Sequence, residues 1–153
     1  MYVQSNMEDL RQSFCSCLYY SANAFSRLLT KMGDEEFAIT GLATSYGFLL
    51  LTLGMQPGQN PGSIAHTMQL TPSTVTRLVE KLENKGFVRR ETAGRNTQVF
   101  LTEKGEAHLP VVQKAWANLY QRYTDLLGEE WSKQMTAELF EAAQTLETQG
   151  SEK

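Results

Sequence analysis

Six side chains in one stretch of the chain have the chemistry to read a DNA duplex. Ser73, Thr74, Thr76, Arg77 and Lys81 fall on or beside one side of a helix drawn at 100° per residue, together with Glu80 and Asn84. Short hydroxyls and long cations are the groups that bond base edges and phosphates in a major groove. Arg95 adds a cation further along, in a turn between two strand-like runs, where it can enter a minor groove or clasp its phosphates.

The elements that must position these groups are written around them. Thr71 is a good N-cap, because its hydroxyl can accept from an orphan amide of the first turn, and Pro72 sits where a missing donor costs nothing. Val75, Leu78, Val79 and Leu82 recur at i, i+3, i+4 and i+7, which marks a buried face opposite the polar one. Gly86 closes the helix as a residue free to take positive φ. Phe87 and Val88 lead into strand character, residues 92–96 read as a turn and 98–101 as a second strand. Upstream, residues 63–68 form a short helix with Ile64, Ala65 and Met68 as its apolar face, and residues 69–71 make a tight turn. Helix, tight turn, recognition-type helix and basic hairpin together predict a winged helix-turn-helix.

The string STVTRLVEKLENKGFVRR, an arginine in the wing and then LTEKG resemble the MarR family of bacterial transcriptional regulators. The resemblance covers nearly the whole chain in length and helix order and is specific from about Ile64 to Gly105. It implies a dimeric DNA-binding regulator, here taken as a repressor, that holds a pseudo-palindromic operator in double-stranded DNA. Two positions depart from the family pattern. Family wings commonly read Asp-x-Arg before the second strand; here that Asp position is Ala93, with Arg95 retained. The glycine often found between the two motif helices is Gln69.

The remaining chain reads as helical. In residues 7–31, Met7, Leu10, Phe14, Cys17, Leu18, Phe25 and Leu28 build a broad apolar stripe, with Phe14 and Phe25 expected in the core. The stripe spills onto Tyr19 and Leu29, more apolar surface than one neighbour covers. Residues 33–36 read as an acidic loop. Thr40 is the expected N-cap of a helix to about Leu53, with Ile39, Leu42, Tyr46, Leu49, Leu50 and Leu53 facing the core and Gly54 ending it. Residues 56–62, with two Pro and two Gly, read as a loop.

Thr102 should cap a long helix to about Leu127, kinked or briefly interrupted at Pro110. Its apolar side is Val112, Ala115, Trp116, Leu119, Tyr123, Leu126 and Leu127. Gly128 breaks the chain, Trp131, Met135, Leu139, Ala142 and Leu146 stripe a last helix, and residues 148–153 should fray. The expected fold is therefore mainly α with a small β-hairpin wing. Residues 1–36 and 103–153 form a helical dimerisation region around a DNA-binding lobe at 37–102, and the helices too hydrophobic for appendages imply a homodimer.

Charge is distributed to match. The chain of 153 residues carries a formal net charge of −3. Residues 77–104 nevertheless hold seven cations (Arg77, Lys81, Lys85, Arg89, Arg90, Arg95, Lys104) against four anions (Glu80, Glu83, Glu91, Glu103), so the positive charge sits on the reading head. No apolar run approaches the ~20 residues of a membrane span and no signal peptide opens the chain, so a cytoplasmic protein with no membrane partner is expected.

Other chemistry is sparse. There is no nucleotide-binding glycine pattern, no HExxH and no nucleophile elbow, so neither an enzyme nor a cofactor is expected. His66 and His108 lack metal-ligand spacing, and His66 reads as a surface residue. Cys15 and Cys17 cannot pair within one helix, and Cys17 reads as a core thiol. The segment FCSCLYYSA resembles the first helix of the peroxide-sensing branch of the MarR family, with Tyr19 one turn after Cys15, placed to hydrogen-bond a thiolate. DNA release would then follow from thiol oxidation at Cys15. The alternative trigger is a small ligand, with Tyr19 and Tyr20 lining its pocket where the first helix, the long helix after the wing and the DNA-binding lobe meet. The family resemblance suggests a planar aromatic acid such as salicylate. A winged-helix module that binds protein instead of DNA is the competing function; cations on both the recognition helix (Arg77) and the wing (Arg95) argue against it.

Overall fold

The computed structural model describes residues 7–150, with only the backbone of residues 7–9 and 149. Met7, placed in the first apolar stripe, and residues 151–153 of the tail lie outside the described side chains. Seven α-helices, a short 3-10 turn and one β-hairpin follow in the order α1 (Met7–Cys15), α2 (Leu18–Phe37), the 3-10 turn (Ala38–Thr40), α3 (Thr44–Met55), α4 (Pro61–Met68), α5 (Pro72–Asn84), β1 (Val88–Ala93), β2 (Asn96–Leu101), α6 (Glu103–Leu127) and α7 (Glu129–Gly150). This is the expected fold, mainly helical with a two-stranded antiparallel wing. Among the described residues no single helix is long and apolar enough to cross a membrane.

The core lies in the middle of the chain. Leu49, Leu50 and Leu53 of α3, Ile64 of α4, the α5 face of Val75, Leu78, Val79 and Leu82, and Val88, Val99, Val112 and Ala115 are buried together around Phe37. Burying each such side chain stabilises the fold by ~1.5–3 kcal/mol. The α5 stripe is the one read from the sequence.

The N-terminal half departs from expectation in several places. The first helix is broken: α1 ends at Cys15, and Cys17 takes an extended conformation (φ −93°, ψ 118°) before α2 begins. Hydroxyls hold the break, with Ser16 Oγ donating to the Ser13 carbonyl at 2.9 Å and Ser21 Oγ to that of Cys15 at 3.1 Å. Cys17 is thus exposed and is not a core thiol, and Phe14 is 46% exposed, stacked on Tyr20 with ring centroids 4.9 Å apart.

Residues 33–36 are not a loop but the last turn of α2. Arg122 of α6 pins that turn by pairing with Glu35 at 2.7 Å and Glu36 at 3.1 Å. Thr40 caps no α-helix; its hydroxyl donates to the Phe37 carbonyl and accepts from the Leu42 amide within the 3-10 turn, and α3 starts four residues later, at Thr44. Ile39, expected inside, is 52% exposed. Gly54 does not end α3, which continues to Met55. The loop before α4 stops at Asn60, whose side chain accepts from the Ser63 amide, so Pro61 and Gly62 open the helix.

In the C-terminal half, Thr102 caps α6 by accepting from the Gly105 amide at 3.1 Å. Pro110 does not interrupt the helix, and Gly128 ends it at φ 90°. The last helix runs through Gly150, so residues 148–150 continue it. Only part of the apolar side of α6 is covered within the chain: Val112 and Ala115 are buried, whereas Trp116, Leu126 and Leu127 are exposed. The α7 stripe of Trp131, Leu139 and Leu146 is exposed as well.

Candidate DNA-reading surface and effector cavity

The hydroxyl cap at Thr71 sets the start of α5. Its Oγ1 accepts from the Thr74 amide at 3.3 Å and shares short contacts with Ser73 Oγ (3.1 Å) and Thr74 Oγ1 (2.8 Å). Thr76 Oγ1 donates back to the Pro72 carbonyl at 3.0 Å, which leaves its lone pairs outward. Ser73, Thr74, Thr76, Arg77 and Lys81 are all exposed, on the side away from the buried stripe. Among the described residues the side chains of Arg77, Lys81 and Arg95 have no hydrogen-bonded or ion-paired partner.

Of the other four basic side chains of the segment three are engaged, and the exposed Lys85 side chain has no partner among the described residues. Arg90 grips Glu83 of α5, with Nη2 at 2.6 Å and Nε at 3.0 Å from Oε2, while its own amide donates to Oε1 at 3.2 Å. The bidentate pair holds the Glu83 carboxyl below its usual range, chiefly through the Arg90 side-chain hydrogen bond. Arg89 pairs with Glu91 and lies 4.8 Å over the Phe100 ring. Lys104 donates to the Lys85 carbonyl at 2.6 Å and covers the Phe87 ring at 4.3 Å. A sum of charges cannot tell a clasping arginine from a free one, so these roles were not visible in the sequence.

The wing is longer than expected. Its strands pair from Val88↔Leu101 to Ala93↔Asn96, leaving a two-residue turn, Gly94 and Arg95, with Gly94 at φ 63°. Arg95 therefore stands at the tip. At the base, Val99 also pairs with Gln59 of the loop before α4, its amide donating to the Gln59 carbonyl at 2.9 Å. The LTEKG segment locks hairpin to α6: the Thr102 amide donates to the Phe87 carbonyl at 3.0 Å, and a Cβ on Gly105 would lie 2.1 Å from that same oxygen.

The tight turn between α4 and α5 is made by Gln69 at φ 52°, with its amide donating to the His66 carbonyl and the Leu70 amide to that of Ala65. The end of α5 repeats the pattern with Gly86 at φ 78°, the Phe87 amide donating to Leu82 and the Gly86 amide to Glu83. His66 is exposed, as read from the sequence.

The family model described as MarR family matches residues 45–96, the stretch from α3 through the wing turn. The HTH-type transcriptional regulator SarZ of Staphylococcus saprophyticus is 30% identical over 107 residues, spanning 68% of this chain and 70% of that protein. The chain belongs to the MarR family. The HTH-type transcriptional repressor MdtR of Bacillus subtilis is 29% identical over 121 residues, 75% of this chain and 78% of that one. Among solved structures, the fold is similar to the repressor CouR bound to a 23-mer DNA duplex, with a TM-score of 0.77 at 24% identity over 92% of this chain and 99% of that one. It also matches CouR from Rhodococcus jostii RHA1 bound to p-coumaroyl-CoA, at a TM-score of 0.73 and 24% identity over 85% and 94%.

A cavity of about 780 Å³ lies in this MarR-family chain between α2, α3, α4 and α6, walled by Leu29, Phe48, Leu51, Met68, Trp116 and Leu119 among others. Such a volume suits a small organic ligand. Tyr19 and Tyr20 do not line it. Cys15 and Cys17 are both exposed, and the break between α1 and α2 removes the one-turn spacing on a shared helix that was to bring Tyr19 to Cys15; Tyr19 is 78% exposed. Among the described residues no group of three or more His, Cys, Asp or Glu is arranged to hold a metal ion.

Proposed function

We propose that this MarR-family regulator is a cytoplasmic, dimeric, sequence-specific DNA-binding repressor. Each subunit lays α5 in a major groove, with Arg77 reading or anchoring and Ser73, Thr74, Thr76 and Lys81 beside it, and sends Arg95 of the wing tip to the adjacent minor groove. The observation that carries the reading is the set of unpartnered cations, Arg77, Lys81 and Arg95, on the exposed side of α5 and the tip of the wing. A protein-binding winged helix has no need of them at both places.

The dimer is supported by apolar surface that one chain leaves uncovered. Leu18, Leu28, Leu126, Phe140 and Leu146 are more than half exposed, all on α2, α6 and α7. On this reading dimerisation falls to residues 1–36 and 103–153 and DNA reading to 37–102. A two-fold axis then presents two recognition helices to a pseudo-palindrome with half-sites ~10 bp apart.

A small ligand in the cavity is the favoured trigger of DNA release, because the cavity touches both α2 and α6 and α4 of the reading head. A ligand that prefers one spacing of the recognition helices shifts the dimer by its differential affinity. Electrophoretic shifts on the DNA flanking the protein's own gene test the proposal. A specific complex is expected on the full site and a much weaker one on a single half-site. Full affinity for one half-site, or a folded monomer at micromolar concentration in sedimentation, contradicts it.

A further inference from the structure

Neutral hydroxyls and amides make up most of the cavity's polar lining, and no cation is among them. Asp34 is the sole charged side chain in its wall. The nearby cations are committed elsewhere: Arg122 pairs with Glu35 and Glu36, and Lys31 with Glu35. Asp34 receives only a hydroxyl hydrogen bond, from Thr44 at 3.1 Å. The Thr44 donor is thereby used, and the Thr52 donor is used on the Phe48 carbonyl at 2.9 Å.

Gln59 adds a second acceptor. Its Nε2 donates to both the carbonyl and the Oε1 of Gln56, at 3.3 and 3.0 Å, which fixes the amide orientation. Its Oε1 is then buried without a donor, the one such side-chain atom found among the described residues. With no surface open to the cavity, that oxygen could take a ligand N–H only after the Gln59 side chain turns. An anionic ligand entering here meets a carboxylate and no counter-charge.

We infer that the effector is a lipophilic amine or related organic cation, with its apolar body against Phe48, Met68 and Trp116 and its N–H donors directed to Asp34, which supplies the opposite charge. The inference rests on the reading of this cavity as the effector site and departs from the planar aromatic acid that the family resemblance suggests.

Calorimetric titration of the DNA-free, full-length protein with phenylbutylamine, phenylbutanol and phenylbutyrate separates the cases, because the three share an apolar body and differ in charge. The amine should bind at least about tenfold more tightly than the alcohol or the carboxylate, the margin of a charge-assisted over a neutral hydrogen bond. Asp34→Asn keeps the acceptor for Thr44 and should bring the amine within about twofold of the alcohol. Thr30→Trp, which fills the cavity from α2, should weaken both. Equal or tighter binding of the carboxylate overturns the inference and leaves the cavity as an effector site. So does an amine preference that survives Asp34→Asn. Failure of all three probes to bind, or amine binding untouched by Thr30→Trp, overturns the cavity as the effector site and the inference with it.

Discussion

Arg90 on the first wing strand holds Glu83 on the recognition helix through two guanidinium nitrogens on one carboxylate oxygen, at 2.6 and 3.0 Å. The wing is therefore oriented on α5 by a side chain that the sum of charges counts only as part of the positive reading head. Both partners are about one-third exposed, so the pair's worth to global stability is small. Its consequence lies in where it points the hairpin. Arg90→Ala should loosen the wing and weaken binding to specific and non-specific DNA alike, with little change in melting temperature. The Glu83 carboxyl is held below its ordinary value of 4.5, so the clasp contributes fully above that pH and is lost as pH falls through the lower folded value. Amide shifts of β1 followed by NMR through an acid titration should report this. A wing unmoved by Glu83→Gln would show that the hairpin is oriented by other contacts.

Arg77 should behave differently, because its side chain has no partner among the described residues. Arg77→Ala should cost ~1–3 kcal/mol on the preferred site if the guanidinium bonds a base bidentately, and relax the preference at one position of each half-site. Wild-type affinity in a normally folded Arg77→Ala dimer would remove the residue from the reading surface.

Two helix ends share a geometry and differ in the residue that makes it. Gly86 takes positive φ at no cost, whereas Gln69 takes it against a penalty of roughly 1–2 kcal/mol. Gln69→Gly should therefore raise stability by about 1 kcal/mol in denaturant unfolding. At the base of the wing the opposite holds. A methyl on Gly105 meets the Phe87 carbonyl oxygen at 2.1 Å, and Gly105→Ala should destabilise by about 3 kcal/mol or more. Unchanged unfolding midpoints in both variants would refute the local account of these two turns.

The reading head was legible because its signals are local. Thr71, Thr102 and Gly86 announce their caps within four residues, and the α5 stripe repeats at helical spacing. What escaped depends on distant partners. Gly33 and its acidic neighbours look like a loop until Arg122 of α6 reaches Glu35 and Glu36, and Thr44 packs where a side chain on residue 33 would lie. The break at residues 16–17 contains no Pro or Gly, and its hydroxyl bonds follow no strong sequence rule. The cavity lies where the first helix, the long helix after the wing and the DNA-binding lobe were expected to meet, but which side chains wall it, Asp34 among them and not Tyr19 or Tyr20, depends on how those helices pack.

The thiol trigger has a direct test of its own. Cys15 is exposed and thus open to oxidation, without Tyr19 on a shared helix to activate it. If it senses peroxide, oxidant should release DNA from the wild type and leave the Cys15→Ser protein bound. Ligand control alone predicts that both proteins ignore peroxide, and release in Cys15→Ser would rule out the Cys15 mechanism.

The central claim is that phosphates and bases are held by the free cations of α5 and the wing tip. Fluorescence anisotropy of the full protein on DNA flanking its own gene, between about 50 and 200 mM salt, measures it most directly. A dimer neutralising ~8 phosphates should give a log–log salt slope near ~−7, and Arg95→Ala should weaken all sequences similarly and make the slope shallower. Binding that ignores salt over this range, or a slope untouched by Arg95→Ala together with Arg77→Ala, would contradict the account.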